Sequence, residues 1–152
     1  MNAAVLNITS NNPRVPKKSP GTQHRRTNRV ITKIILKIKV RNRDRGTILA
    51  EAADVADTSA KRRTGLLKHS KLDPGAGLWI SPCESVHSFG MKFAIDLVYL
   101  DRKKKVRKVR KNMVPWRLSA CLTAHSVLEL PAGVIEASHT ERGDQLEFEE
   151  LG

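Results

Sequence analysis

Apolar residues along this chain fall into short runs, not long helical stripes. Ile34, Leu36, Ile38 and Val40 alternate with Lys33, Lys37 and Lys39, the two-residue period of a half-buried strand. Ile31, Ile34, Ile35 and Ile38 also fit one helical face, which leaves a basic amphipathic helix on a membrane surface as the alternative. The β-branched side chains favour a strand over Val30–Val40. Asn42 to Gly46 is turn chemistry, so Thr47–Ala56 reads as the hairpin partner. Asp57 or Thr58 caps a short helix from Ser59 to about Lys68, with Gly65 marking a close approach or the helix end. Further strands are expected at Leu78–Ser81, Phe93–Leu100, Val106–Lys111, Ser126–Leu130 and Gln145–Glu149, separated by turns rich in Gly, Pro and Asp.

Several short strands and one clear helix predict an α+β fold that is mainly β: a rolled or barrel-like antiparallel sheet with one or two short helices. The runs Leu78–Ile80 and Ile95–Leu100 form its middle, joined by a linker, Cys83–Met91. The basic strand Val106–Lys111 reads as an edge blunted by lysine, with a phosphate-binding patch as the alternative. Trp116, after Pro115, is expected to cover the core.

Charge divides the chain. The net charge is +13, but residues 1–45 hold 12 Lys/Arg and one acid, whereas residues 46–152 hold 16 Lys/Arg and 14 acids. Residues 1–29 read as a disordered basic N-terminal extension and residues 30–152 as one β-rich domain. The extension and first strand, residues 1–45, allow weak, salt-sensitive contact with nucleic acid or an anionic membrane. No run reaches transmembrane length, no secretion signal is read, and two cysteines are too few for a disulfide scaffold. A cytoplasmic protein with reduced thiols is expected.

The segments Ala56 to Leu67, Gly77 to Ile80, Phe89-Gly-Met-Lys92, Ile95 to Asp101, Val127-Leu-Glu-Leu-Pro-Ala-Gly133 and Gly143-Asp144 occur in an order that resembles the Domain of Unknown Function 192 family, small uncharacterised proteins of bacteria and archaea. The similarity spans roughly residues 38–149. It departs at Leu67, where the family often has Met, and at Gly90, where it often has Trp. The resemblance implies a compact, mainly β domain and supplies no reaction.

The candidate chemistry is Cys83, His87, Asp96, Cys121 and Glu129. Cys83 and His87 are four apart, and with Cys121 they are candidate metal ligands. Asp96 and Glu129 each interrupt an apolar strand, and if those strands are neighbours the two carboxylates converge. Cys83, His87, Asp96 and Glu129 are thus also a candidate nucleophile, base and orienter set. The bland alternative makes the thiols small hydrophobes and points both acids to water. Lys92, four residues before Asp96, is a candidate ion-pair partner for it. No phosphate loop, dinucleotide glycine motif or zincin helix is present, so no cofactor is predicted. The best-supported expectation is a non-enzymatic binding or accessory domain for a small molecule or peptide, with Trp79, Met91, Lys92, Asp96 and Glu129 as ligand contacts. The alternatives are a metal- or thiol-dependent enzyme and weak nucleic-acid association.

Overall fold

A computed structural model describes residues 36–152. The expectations for residues 1–29, and for the start of the Val30–Val40 strand, lie outside the described residues. Among the described residues nine strands and two short helices follow in order: β1 (Lys37–Asn42), β2 (Thr47–Ala56), α1 (Ser59–Thr64), β3 (Ala76–Ile80), β4 (Ser85–His87), β5 (Ile95–Leu100), β6 (Val106–Met113), β7 (Leu118–Ala120), β8 (Ser126–Pro131), α2 (Val134–Ser138) and β9 (Leu146–Leu151). The expected α+β, mainly β class is what the chain adopts.

Seven strands form one sheet in the order β6-β5-β8-β3-β2-β1-β9, and β4 pairs with β7 in a small second sheet. One pairing departs from the expected antiparallel pattern: β2 and β3 are parallel. Residues 57–75, which include α1, supply a crossover long enough for that geometry. β6 and β9 are the edges, so the basic strand lies where lysine blunts further pairing. The edges approach at one corner, where Lys105 bridges Gln145 and the Val106 N–H donates to the Asp144 carbonyl at 2.8 Å. They do not continue into a ladder, and the sheet is not closed into a barrel.

The central strands are covered on both faces. Every residue of β5 is buried. Val98 and Leu100 join one cluster with Val40, Leu128, Leu130 and Ile135 of α2. Ile95, Leu97 and Tyr99 join the other, with Leu78, Ile80, Val86 and Met91. The strand period sends alternate side chains to each cluster, which is why β5 reads as a continuous apolar run. Asp96 and Glu129 therefore have no solvent face to use, contrary to the bland reading.

Local chemistry holds the ends of elements. Thr58 caps α1, its Oγ1 accepting from the Lys61 N–H at 3.3 Å, and Gly65 ends the helix at a positive φ of 45°. The β1–β2 turn is tied to the turn before β9, where Asn42 Nδ2 donates to Asp144 at 2.9 Å and Arg45 Nε donates to it at 3.1 Å. Gly77 is required by close approach. A Cβ there would sit 3.1 Å from the Glu129 carbonyl and 3.3 Å from the Ala53 Cβ.

Candidate functional site

Glu129 lies in β8 directly opposite Leu78 of β3 and Leu97 of β5. It is 4% exposed, and its Oε2 has no hydrogen-bond partner among the described residues. Burial among apolar neighbours pushes its carboxyl up to about 8, so the acid is mostly protonated at neutral pH. Beside it opens a cavity of about 500 Å³, lined by Arg62, Arg63 and the turn after α1, by the end of β3, by Cys83, Ser85, Val86 and His87, and by Met91.

Cys83 reaches this cavity because its N–H is held by the His125 carbonyl at 2.8 Å, while its thiol points to the Ser85 carbonyl at 3.1 Å. Burial pushes the Cys83 thiol up. A backbone hydrogen bond with Ser85 and the charge of Arg62 oppose the shift, and the charge of Glu129 adds to it. This is the reverse of what activates a nucleophilic thiol. Arg62 is anchored at the rim by the carbonyls of Asp57 at 2.7 Å and Ser81 at 3.2 Å. His87 lies at the mouth, exposed, with its ring stacked on Phe89 at 5.2 Å between centroids.

The structure brings Cys83, His87, Met91 and Glu129 to one cavity and takes the other candidates elsewhere. β5 and β8 are neighbours as the convergence idea required, but Asp96 pairs with Leu130 and Glu129 with Leu97. That one-residue offset sends the two carboxylates to opposite faces. Asp96 accepts from the backbone N–H groups of Asn112 at 2.8 Å, Gly133 at 3.1 Å and Ile135 at 2.8 Å, so it holds the start of α2 and the end of β6. Lys92 is exposed and makes no ion pair with it among the described residues. Trp79 packs on the other face against Phe148, edge to face at 5.1 Å, under the Lys104 ammonium at 4.2 Å. Cys121 is half-buried, its Sγ 3.4 Å from the Thr123 hydroxyl, outside the cavity. Among the described residues no three His, Cys, Asp or Glu side chains gather closely enough to hold a metal ion.

Two features escaped sequence reading. Arg62 and Arg63 had no part in the expected site, yet both line the cavity. Trp116 does not cover the core: it is 67% exposed, stacked on Phe89 at 5.8 Å. Its neighbour Arg117 and its position in a turn were the available signals.

Comparison with known proteins agrees with the geometry of the sheet. A protein from Sinorhizobium meliloti, provisionally described as a transcription regulator, superposes with a TM-score of 0.65 at 19% identity, over 74% of this chain and 92% of that one. A protein of unknown function from Novosphingobium aromaticivorans gives 0.64 at 20% identity, over 74% and 84%. In sequence, the UPF0127 protein of Thermococcus sibiricus is 31% identical over 114 residues, 71% of this chain and 73% of its own length. The UPF0127 protein of Pyrococcus abyssi is 32% identical over 102 residues, 62% and 84%. The profile of Domain of Unknown Function 192, described as "Uncharacterized ACR", matches residues 39–148. The chain belongs to the Domain of Unknown Function 192 family, whose activity is not established.

Proposed function

We propose that this domain binds a small molecule or the end of a peptide, without transforming it, in the cavity over Glu129. The observation that carries this reading is the Glu129 Oε2, buried against the cavity with no partner among the described residues. An unpartnered buried polar atom costs about 1–3 kcal/mol, which a ligand group bonding to it recovers. In its neutral form the carboxyl both donates and accepts, which suits an amide or a second carboxyl group. Val86, Met91 and Ile80 supply apolar walls, and Arg62 and Arg63 make the rim cationic. A raised thiol pKa at Cys83 supports binding over nucleophilic catalysis.

Benzamide, an apolar ring bearing one amide, is a suitable probe. Titrated into the full chain, it should shift the backbone resonances of Cys83, Val86, Met91 and Glu129 saturably. Glu129→Leu, which fills the space with an apolar group, should remove that response while the chain stays folded. Shifts of equal size in Glu129→Leu, or none in the native chain, would refute the proposal.

A further inference from the structure

A second surface adjoins the cavity mouth at His87 and is independent of what the cavity holds. His87, Phe89 and Trp116 stack in a row, with ring planes within 28° and 27° of each other. Leu118 faces His87 directly across the β4–β7 pair. These apolar groups are bare: Phe89 is 46% exposed, Trp116 67% and Leu118 68%. The display is held in place. Ser88 is fully buried and its hydroxyl donates to the Val114 carbonyl at 2.8 Å and accepts from the Arg117 N–H at 2.9 Å. The Trp116 N–H donates to the Ser88 carbonyl at 3.1 Å. The two loops are therefore pinned to each other, and the rings cannot fold back onto the core without breaking that link.

Charge narrows the partner. Residues 85–95 and 112–124 contain Lys92 and Arg117 and no acid. Residues 46–152 hold 16 Lys/Arg against 14 acids, so the positive bias at this surface is local. An acidic or anionic partner fits, and two kinds compete. Single-stranded nucleic acid needs free ring faces on which bases stack. Here both faces of Phe89 and one face each of His87 and Trp116 are spent on one another, and Leu118 offers a base nothing. An anionic bilayer uses what is present: ring bodies and an aliphatic side chain to enter the interface, a Trp among them, and cations beside them for the headgroups.

We propose that the Phe89–Trp116–Leu118 surface docks this domain on an anionic lipid bilayer, with Lys92 and Arg117 against the headgroups. Apolar insertion and basic charge together provide the two signals that stable peripheral attachment requires.

The test is co-sedimentation of the full chain with phosphatidylcholine vesicles, with and without phosphatidylglycerol, alongside Trp116→Asn/Leu118→Ser. Asn tolerates the positive φ of 63° at position 116, and both side chains are exposed, so the variant should keep the native melting temperature. The native chain should partition onto the phosphatidylglycerol vesicles, and the variant about tenfold less, the loss of two partly inserted apolar groups. Equal partitioning of a folded variant would overturn the proposal by leaving charge alone as the cause. So would indifference of the native chain to both vesicles. Displacement from vesicles by oligothymidylate, with oligothymidylate affinity lost in the same variant, would reassign the surface to nucleic acid. Chemical-shift binding of benzamide is unaffected by any of these results, so the cavity reading stands or falls separately.

Discussion

Glu129→Gln isolates the proton that the fold places on β8. The carboxyl's ordinary value is 4.5 and burial raises it to about 8. A raised acid binds its proton more tightly in the folded state, so its contribution is complete below about pH 4.5 and is lost as pH rises toward about pH 8. Over that window the unfolded chain releases a proton that the folded chain keeps. Between about pH 5 and about pH 7.5 the integrated loss is about 3 kcal/mol, from 1.36 kcal/mol per unit of pKa difference. Glutamine has no proton to lose, so its stability lacks this slope. Urea unfolding of both proteins across that range should show the native chain losing about 3 kcal/mol relative to Glu129→Gln, a gap of about 10 °C in melting temperature for a domain this size. The absolute cost of the amide cancels, because only the pH dependence of the difference is read. A difference that stays flat across the range would show that Glu129 is not held protonated, and the cavity's donor would disappear with it.

Asp96→Ala orphans three backbone N–H groups and should cost about 3 kcal/mol in urea unfolding, with amide exchange rising first in α2. Gly77→Ala should cost about 1–3 kcal/mol by overpacking against Glu129, Leu130 and Ala53, measured as a lower melting temperature. At Asp144 burial raises the pKa, but hydrogen bonds from Asn42, Arg45 and the Glu141 N–H outweigh it and hold the carboxyl below its usual range. Its stabilisation is present above about pH 4 and lost as pH falls further, so the deficit of Asp144→Asn against the native chain should shrink on acidification below that point. Cys83, its thiol pushed up by burial, should react with iodoacetamide at about pH 8 more slowly than free cysteine, read by mass spectrometry of the digested protein.

The class of fold was legible along the chain because strand period and turn chemistry are local. Alternation at Ile38 and Val40, the Asn42–Gly46 turn and the Pro131 stop are each set by backbone sterics within a few residues, and the structure has β1, the β1–β2 hairpin and β8 there. Helix α2 was missed because five residues, Val134–Ser138, are too short to show a helical period. It is held from outside by Asp96, 39 residues earlier in the chain. The parallel β2–β3 pair was missed for a related reason, since strand direction depends on where a crossover returns the chain.

The candidate site divides the same way. Glu129 stood out in the sequence as a charge inside an apolar strand, but so did Asp96, and composition offered no means to separate them. Register did. A single-residue offset between β5 and β8 buries one carboxyl without a partner beside a cavity and gives the other three N–H donors. Residue types and their spacing determined the strands, the family and the short list of groups able to do chemistry. Which face each group occupies, and whether its hydrogen bonds are met, was decided only when distant segments paired, because burial and partnership are properties of the assembled sheet and not of any one stretch of chain.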